Sequence, residues 1–294
     1  MNDVTAIILT FNESLHLRRC IASLRGVAKR ICVVDSFSTD NTCDIARELG
    51  ADLYQNPWRG HANQFNWALD NCNITTQWVL RIDADEYIET ELTDSIKRFL
   101  SNPSNYNSAV LKRKIVFMGK PIKHGFFYPG YILRLWRFGE GRMEQRLMDE
   151  HVRMESTRSV VLAGDLTDEN LNDLSWWTRK HDGYAQLESY EIALGSNHRD
   201  GTGQLAANAR AKRFIKNKIY YRIPPGFRAI AYFFYRYFLG LGFLDGKAGF
   251  YFHFLQAFWY RIYVDAKFYE LEITAKREGV SISQLLKNKG IRVD

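Results

Sequence analysis

What the chain lacks narrows it first. Its four cysteines, Cys20, Cys32, Cys43 and Cys72, form no C-x-x-C pair, which reads as free thiols in a reducing cytoplasm. The opening Met1-Asn2-Asp3 has no basic n-region of a signal peptide. There is no internal repeat and no low-complexity tract. The apolar stretch from Ala229 to Leu244 is interrupted by Arg236 and is shorter than the roughly 20 residues a spanning helix needs, so it is not expected to cross a bilayer. Between Gly201 and Leu244 there is no Asp or Glu at all against eight Lys or Arg, so the formal charge of +7 is locally concentrated. Such a stretch suits any polyanion, whether nucleic acid, anionic lipid or a phosphorylated substrate, and charge alone does not choose among them.

What is present is enough for a real core. With 294 residues and 46% hydrophobic content, the chain can build one large domain or two modest ones. The apolar run Val4 to Leu9 stops at Thr10-Phe11-Asn12-Glu13, after which Leu15, Leu17, Cys20, Ile21 and Leu24 recur at helical spacing. The run Arg30 to Val34 ends at Asp35-Ser36-Phe37-Ser38-Thr39-Asp40-Asn41-Thr42 and is followed by a second helical pattern closed at Gly50. A short strand near Ala51 to Tyr54 precedes a helix over His61 to Asn71, and a fourth run, Trp78 to Ile82, ends at Asp83-Ala84-Asp85-Glu86. Strands alternating with helices predict a parallel sheet with right-handed crossovers. Ligands of such sheets bind beyond the carboxyl ends of the strands, where three polar turns collect here. Past Pro103 the alternation weakens, with strands expected at Ala109 to Phe117 and Tyr131 to Arg137. Helices are expected at Leu174 to Leu194 and Ala206 to Tyr220, followed by an aromatic helical tail.

Asp83 and Asp85 are alternate residues of an extended segment and so share a face. Hard carboxylate oxygens at that spacing suit Mg²⁺ or Mn²⁺. A D-x-D taken alone is often a solvated acidic turn, but following a buried strand at the ligand edge of a parallel sheet it gains the metal reading. Asp35 would either accept a hydrogen bond from a base or ribose, or cap the helix that follows. Gln64, on one helical face with His61 and Ala68, would either reach a ligand or cover the sheet edge. The cluster Met148-Asp149-Glu150-His151, set among Arg142, Arg146 and Arg153, reads as a surface salt-bridge network or as the source of a second carboxylate that takes a proton from an acceptor hydroxyl.

Together, Thr10-Phe11-Asn12-Glu13, Val34 to Thr42, Gln64-Phe65-Asn66-Trp67-Ala68 and Asp83-Ala84-Asp85-Glu86 resemble the family 2 inverting glycosyltransferases with the GT-A fold. Met148-Asp149-Glu150-His151 and the aromatic tail bring the likeness closest to the bacterial subgroup of lipopolysaccharide-core β-glucosyltransferases. The resemblance implies an α/β fold: a GT-A catalytic domain, Rossmann-like with a mostly parallel sheet, over residues 1–165, then a mainly helical acceptor- and membrane-associating region over 166–294. It implies that Thr10, Asn12 and Glu13 line the nucleotide pocket with Gln64 beside them, that Asp35 meets the uracil, that Asp83 touches ribose and sugar, and that Asp85 holds Mg²⁺ or Mn²⁺. Asp149 would be the general base, with Glu150 and His151 ordering acceptor and diphosphate.

One departure is plain: relatives commonly carry glycine where Phe37 and Asn41 stand, and Phe does not readily take a positive φ. The implied partners are a UDP-sugar donor, a glycan or glycolipid acceptor and the inner face of the cytoplasmic membrane, with no nucleic acid. The first expectation is glucose transfer onto a lipopolysaccharide core; capsule, exopolysaccharide or polyprenyl-linked assembly is the alternative. A nucleotidyltransferase would need a glycine-rich basic first turn, which Thr10 to Glu13 is not. A non-catalytic basic membrane- or RNA-binding protein would explain the Arg210 to Arg236 patch but leave the acidic turns unexplained.

Overall fold

The computed structural model describes residues 3–145, 151–194 and 224–291. The expected helix over Ala206 to Tyr220, and the site candidates Asp149 and Glu150, lie outside the described residues. The chain divides into two compact units between Leu171 and Asn172. A division after residue 165 would cut through a strand that runs from Ser159 to Glu169.

In the first unit the apolar runs become β1 (Val4–Thr10), β2 (Arg30–Asp35), β3 (Asp52–Gln55) and β4 (Trp78–Asp83), paired in parallel in the order β3-β2-β1-β4. Their uninterrupted hydrophobicity follows from burial on both faces. Val4, Ala6 and Ile8 of β1 point into one core with Leu17, Cys20, Ile21 and Leu24 of helix α1 (Leu17–Leu24). Ile7, between them, points into the opposite core with Ala62, Phe65 and Ala68 of α3 (His61–Asn71). Helix α2 (Thr42–Glu48) follows β2, and α4 (Thr90–Ser101) packs Leu92 and Ile96 into the first core.

Beyond β4 the sheet becomes mixed. It continues through β8 (Gly130–Arg137), β6 (Ser108–Phe117), β11 (Ser159–Glu169) and β5 (Glu86–Ile88), with β8 antiparallel to both β4 and β6, and with β11 parallel to β6. The short β7 (Lys120–Pro121) returns on β6, and β9 (Gly141–Met143) pairs with β10 (Val152–Met154) as a separate hairpin. A register shift in β11 between Val161 and Asp165 carries Gly164 at φ +85, where a Cβ would lie 2.2 Å from the Leu92 backbone nitrogen. That close approach lets α4 lie directly on β11 and aims the end of β11 at the Asp83–Glu86 turn.

The second unit is helical among its described residues. Helix α5 (Leu174–Ala193) is capped by Asp173, whose carboxylate accepts from the Trp176 amide at 2.7 Å. Helix α6 (Phe227–Phe234) runs on as a π-helical turn (Tyr235–Leu239), and a 3₁₀ turn (Gly242–Asp245) reverses the chain. Helix α7 (Gly246–His253) runs through a second π-helical turn (Phe254–Trp259) into α8 (Tyr260–Glu278), and α9 (Ile282–Asn288) closes the chain. Tyr190, Leu271, Ala275, Leu285 and Leu286 form its core.

Candidate active site at the carboxyl ends of the strands

β1 lies between β2 and β4 in the sheet, so the crevice at its carboxyl end is the topological switch point. The turns after β1 and β2 are stitched together there. The Asn12 amide donates to Ser38 Oγ at 2.8 Å, and the Thr39 amide donates to Asn12 Oδ1 at 2.8 Å. The Glu13 amide donates to Thr42 Oγ1 at 2.8 Å. Asn12 sits at φ +55 and Phe37 at φ +61. The Leu171 amide donates to His16 Nε2 at 2.8 Å, and His16 Nδ1 is hydrogen-bonded to Glu13 Oε2 at 2.7 Å. Glu13 thus holds the buried His16 in place.

Asp35, expected at the base, is fully buried. Its carboxylate accepts from Thr10 Oγ1 at 3.0 Å, from the Ser38 amide at 2.8 Å and from Ser38 Oγ at 2.5 Å. Burial pushes its carboxyl up, but these hydrogen bonds outweigh it and hold it below the usual range. Gln64 is likewise fully buried, donating to Ser36 Oγ and the Asn56 carbonyl at 3.0 Å and accepting from Asn56 Nδ2 at 2.7 Å. Through these hydrogen bonds Asp35 and Gln64, both expected at the nucleotide, fix the two turns that face the crevice.

Across β1, the acidic turn is built on a buried cation. Arg134 of β8 is fully buried; its Nη2 donates to Asp83 Oδ2 at 2.8 Å and to Glu86 Oε1 at 2.6 Å, while Glu86 Oε2 accepts from the Asp83 amide at 2.9 Å. Burial would raise the Asp83 carboxyl, but Arg134 and Arg81 hold it well below the ordinary carboxylate range. Burial, then Asp83 and Asp168, push Glu86 up against the pull of Arg134. Asp85 is held differently: its Oδ2 accepts from Asn170 Nδ2 at 3.0 Å, and its carbonyl accepts from the Glu169 amide at 3.1 Å. Arg19 of α1 pairs with Glu169 and fastens this corner.

Asp168 is the residue that sequence reasoning missed. In β11 it lies opposite Glu86 of β5 and 3.7 Å from Arg113. Burial, then the charges of Asp85 and Asp83, raise its carboxyl to about 6. Carboxylates therefore arrive from two strands, β4 and β11, at one corner. Among the described residues no three His, Cys, Asp or Glu side chains are already set around a single point. Asp85 with Asp168 beside it would offer hard oxygens to a Mg²⁺- or Mn²⁺-type cation, which takes one or two carboxylates and fills the rest of its shell from diphosphate and water.

His151 is exposed at the start of β10, and its carbonyl accepts from the Glu144 amide at 3.0 Å. Arg142 pairs with Asp70, and Arg153 with Glu144. Asn66 clamps β9 to α3 by exchanging two hydrogen bonds with the Met143 backbone, at 2.8 and 2.9 Å.

A family model described as Glycosyl transferase family 2 matches residues 5–159, more than half of the chain and all but the first residue of the parallel strands β3-β2-β1-β4. The chain belongs to glycosyl transferase family 2. Among curated relatives, an uncharacterised glycosyltransferase of Rickettsia prowazekii (strain Madrid E) is 36% identical over 121 residues, 40% of this chain and 41% of that protein. The lipopolysaccharide core biosynthesis glycosyltransferase LpsC of Rhizobium meliloti (strain 1021) is 31% identical over 147 residues, 48% of this chain and 53% of LpsC. The chain thus spans about two fifths to half of the length of these curated relatives. A mannosyltransferase from Pyrobaculum calidifontis, solved in complex with GDP-Man and Mn²⁺, has a similar fold: TM-score 0.55, 17% identity, covering 91% of this chain and 87% of that one. The GT-A fold expected for a family 2 glycosyltransferase is the fold observed.

Proposed function

We propose that the protein transfers a hexose from a UDP-sugar to a hydroxyl of a cell-envelope glycan or lipid-linked acceptor, with inversion, and that glucose onto a lipopolysaccharide core in β-linkage is its first candidate reaction. The observation that carries the reading is the Asp83-Ala84-Asp85 turn, held by Arg134 and Asn170 beside the switch point and joined there by Asp168. The likeness to LpsC supports the acceptor class, and the GDP-Man and Mn²⁺ complex of the mannosyltransferase supports a nucleotide-sugar donor with a divalent cation.

In this reading Thr10, Asn12 and Glu13 shape the nucleotide side of the crevice, Asp83 meets ribose and sugar, and Asp85 with Asp168 holds Mg²⁺ or Mn²⁺, which would offset the charge of the departing diphosphate. Asp149 takes the acceptor proton, a contribution of roughly 10²- to 10⁴-fold, with Glu150 and His151 ordering acceptor and diphosphate. The catalytic part, expected over residues 1–165, extends in this reading to Leu171 so that it includes Asp168, and the residues from Asn172 on serve acceptor and membrane. The exposed aromatic surface of α6 and α7 and the basic run before it support peripheral attachment to the cytoplasmic face of the inner membrane.

The test is a thermal-shift panel of UDP- and GDP-sugars, with and without Mn²⁺, on wild type and Asp85→Ala. Metal-dependent stabilisation by a UDP-sugar, lost in the variant, is expected. A donor that stabilises both proteins equally, or only without metal, would sink the metal assignment, and a shift with GDP-sugars alone would overturn the UDP reading.

A further inference from the structure

We propose that Phe37 is a further nucleotide-binding residue whose ring stacks on the base of the donor nucleotide. The inference rests on the nucleotide-sugar reading above and goes past it to one side chain. Phe37 occupies the left-handed region at φ +61, a conformation that crowds the Cβ of any L-residue and is an outlier for a bulky one. Its neighbours force it there. Ser38, one residue on, is pinned to the buried Asp35 through both its amide and its hydroxyl. Ser36, one residue back, accepts from the buried Gln64 and donates its amide to the Thr10 carbonyl at 2.9 Å. Asp40 accepts from the Thr42 amide at 3.0 Å and the Ser14 amide at 3.2 Å, closing the turn on the far side.

Glycine would satisfy this backbone without strain. Phe37 accepts the strain and gains little burial in exchange, because its side chain is 51% exposed and pairs with no ring among the described residues. A ring that costs the fold and repays it with little packing fits the pattern in which local strain is stored at functional sites. The surroundings say what it would meet. Phe37 lies two residues past Asp35, which is in register with Thr10, and Phe11, one residue past Thr10, is also exposed, at 57%. Two aromatic rings thus stand on adjacent turns at the β2 side of the crevice, while the carboxylates stand at the end of β4, two strand spacings away, or roughly 10 Å. A ligand with a planar apolar ring at one end and an anionic, metal-binding group at the other matches that layout, and a nucleoside diphosphate has that form. Stacking tolerates any base, since every base has a π-face, so Phe37 sets how tightly the base is held while the strapped turns decide which edge is read.

The test is calorimetric titration of the full chain with UDP and Mn²⁺, and separately with inorganic pyrophosphate and Mn²⁺, alongside thermal unfolding of each variant. Phe37→Gly is expected to raise Tm, because the strain is gone, and to weaken UDP binding roughly tenfold with pyrophosphate binding unchanged. Phe37→Tyr keeps UDP affinity, and Phe37→Leu, which keeps bulk but loses the π-face, binds UDP as weakly as the glycine variant. UDP affinity in Phe37→Gly equal to wild type, or a fall in its Tm, would overturn the assignment while leaving the glycosyltransferase reading intact. A wild type that binds neither UDP nor GDP would overturn both.

Discussion

At the scale of single residues the site is governed by one buried cation. Arg134 has lost its water and recovers it from Asp83 and Glu86, so its removal strands two carboxylates in a place where they cannot both stay charged. Arg134→Met, similar in length and apolar, is therefore expected to cost about 3–5 kcal/mol in urea unfolding. Arg134→Lys recovers only part, because its one ammonium must reach the point where Nη2 meets both carboxylates and gives up the second contact, from Nη1 to Asp83 Oδ1 at 3.4 Å. A methionine variant as stable as wild type would mean that Glu86 simply takes a proton and the pair is dispensable. Asp83 and Asp85 were legible in the sequence because an acidic pair directly after an apolar run is conspicuous. Arg134 and Asp168 carried the same kind of signal in weaker form: an arginine set between Leu133 and Leu135 in a strand must find a carboxylate, and Asp168-Glu169-Asn170 ends a strand as Asp83 to Glu86 does. What sequence could not show is where Asp35 and Gln64 spend their polar atoms, since that depends on contacts between turns 20 to 30 residues apart.

At the scale of elements, β1 to β4 and α1 to α3 followed from pattern because strands buried on both faces are continuous apolar runs and their helices are amphipathic. The later strands were harder to place: β8 buries Arg134 and is antiparallel to both its neighbours, while β11 is parallel to β6 and antiparallel to β5, so their order in the sheet comes from partners far along the chain. In the helical unit α5 was legible as a helix, but its chemistry was not. Its His181 stacks on Trp177 at 3.5 Å, donates from Nδ1 to the Trp177 carbonyl at 2.8 Å and accepts at Nε2 from Gln256 at 3.0 Å. Burial lowers its pKa from 6.5 to about 4, with Lys180 pushing the same way against the Trp177 hydrogen bond. Because the folded value is the lower one, the unfolded chain binds the extra proton between pH 6.5 and 4, and stability falls as pH drops through that window. After discounting for partial exposure the loss is about 2 kcal/mol. Denaturant unfolding at pH 7 and pH 4 measures it: His181→Gln, which cannot titrate, should lose less stability than wild type over that interval, and equal losses would rule His181 out as the cause.

At the scale of the whole molecule, a basic run and an exposed apolar surface follow one another in the C-terminal part of the sequence. From Phe227 to Phe254 the charged side chains Arg228, Arg236 and Asp245 are largely buried, Arg228 in an ion pair with Asp265, and His253 is fully buried. Lys247 is the charge left exposed. Around it Phe234, Phe238, Leu239, Leu244 and Tyr251 face solvent, with Leu239 at 74%. Among the described residues no helix is long and apolar enough to cross a membrane; in the peripheral reading proposed above, this surface would lie in the bilayer plane, apolar rings at the acyl boundary and lysine at the headgroups. The basic run that precedes it adds about 1 kcal/mol per Lys or Arg that comes near an anionic leaflet, an attraction that salt screens. The full chain is therefore expected to float with vesicles containing anionic phospholipid, less with purely zwitterionic ones, and to release as ionic strength rises. Replacing Phe238 and Leu239 with serine should weaken flotation while leaving nucleotide binding unchanged, because neither residue belongs to the unit that holds the acidic turn. Flotation unchanged by the double substitution would place the lipid contact elsewhere, and a wild-type dimer that falls apart on the same substitution would identify the surface as an interface between copies of this chain.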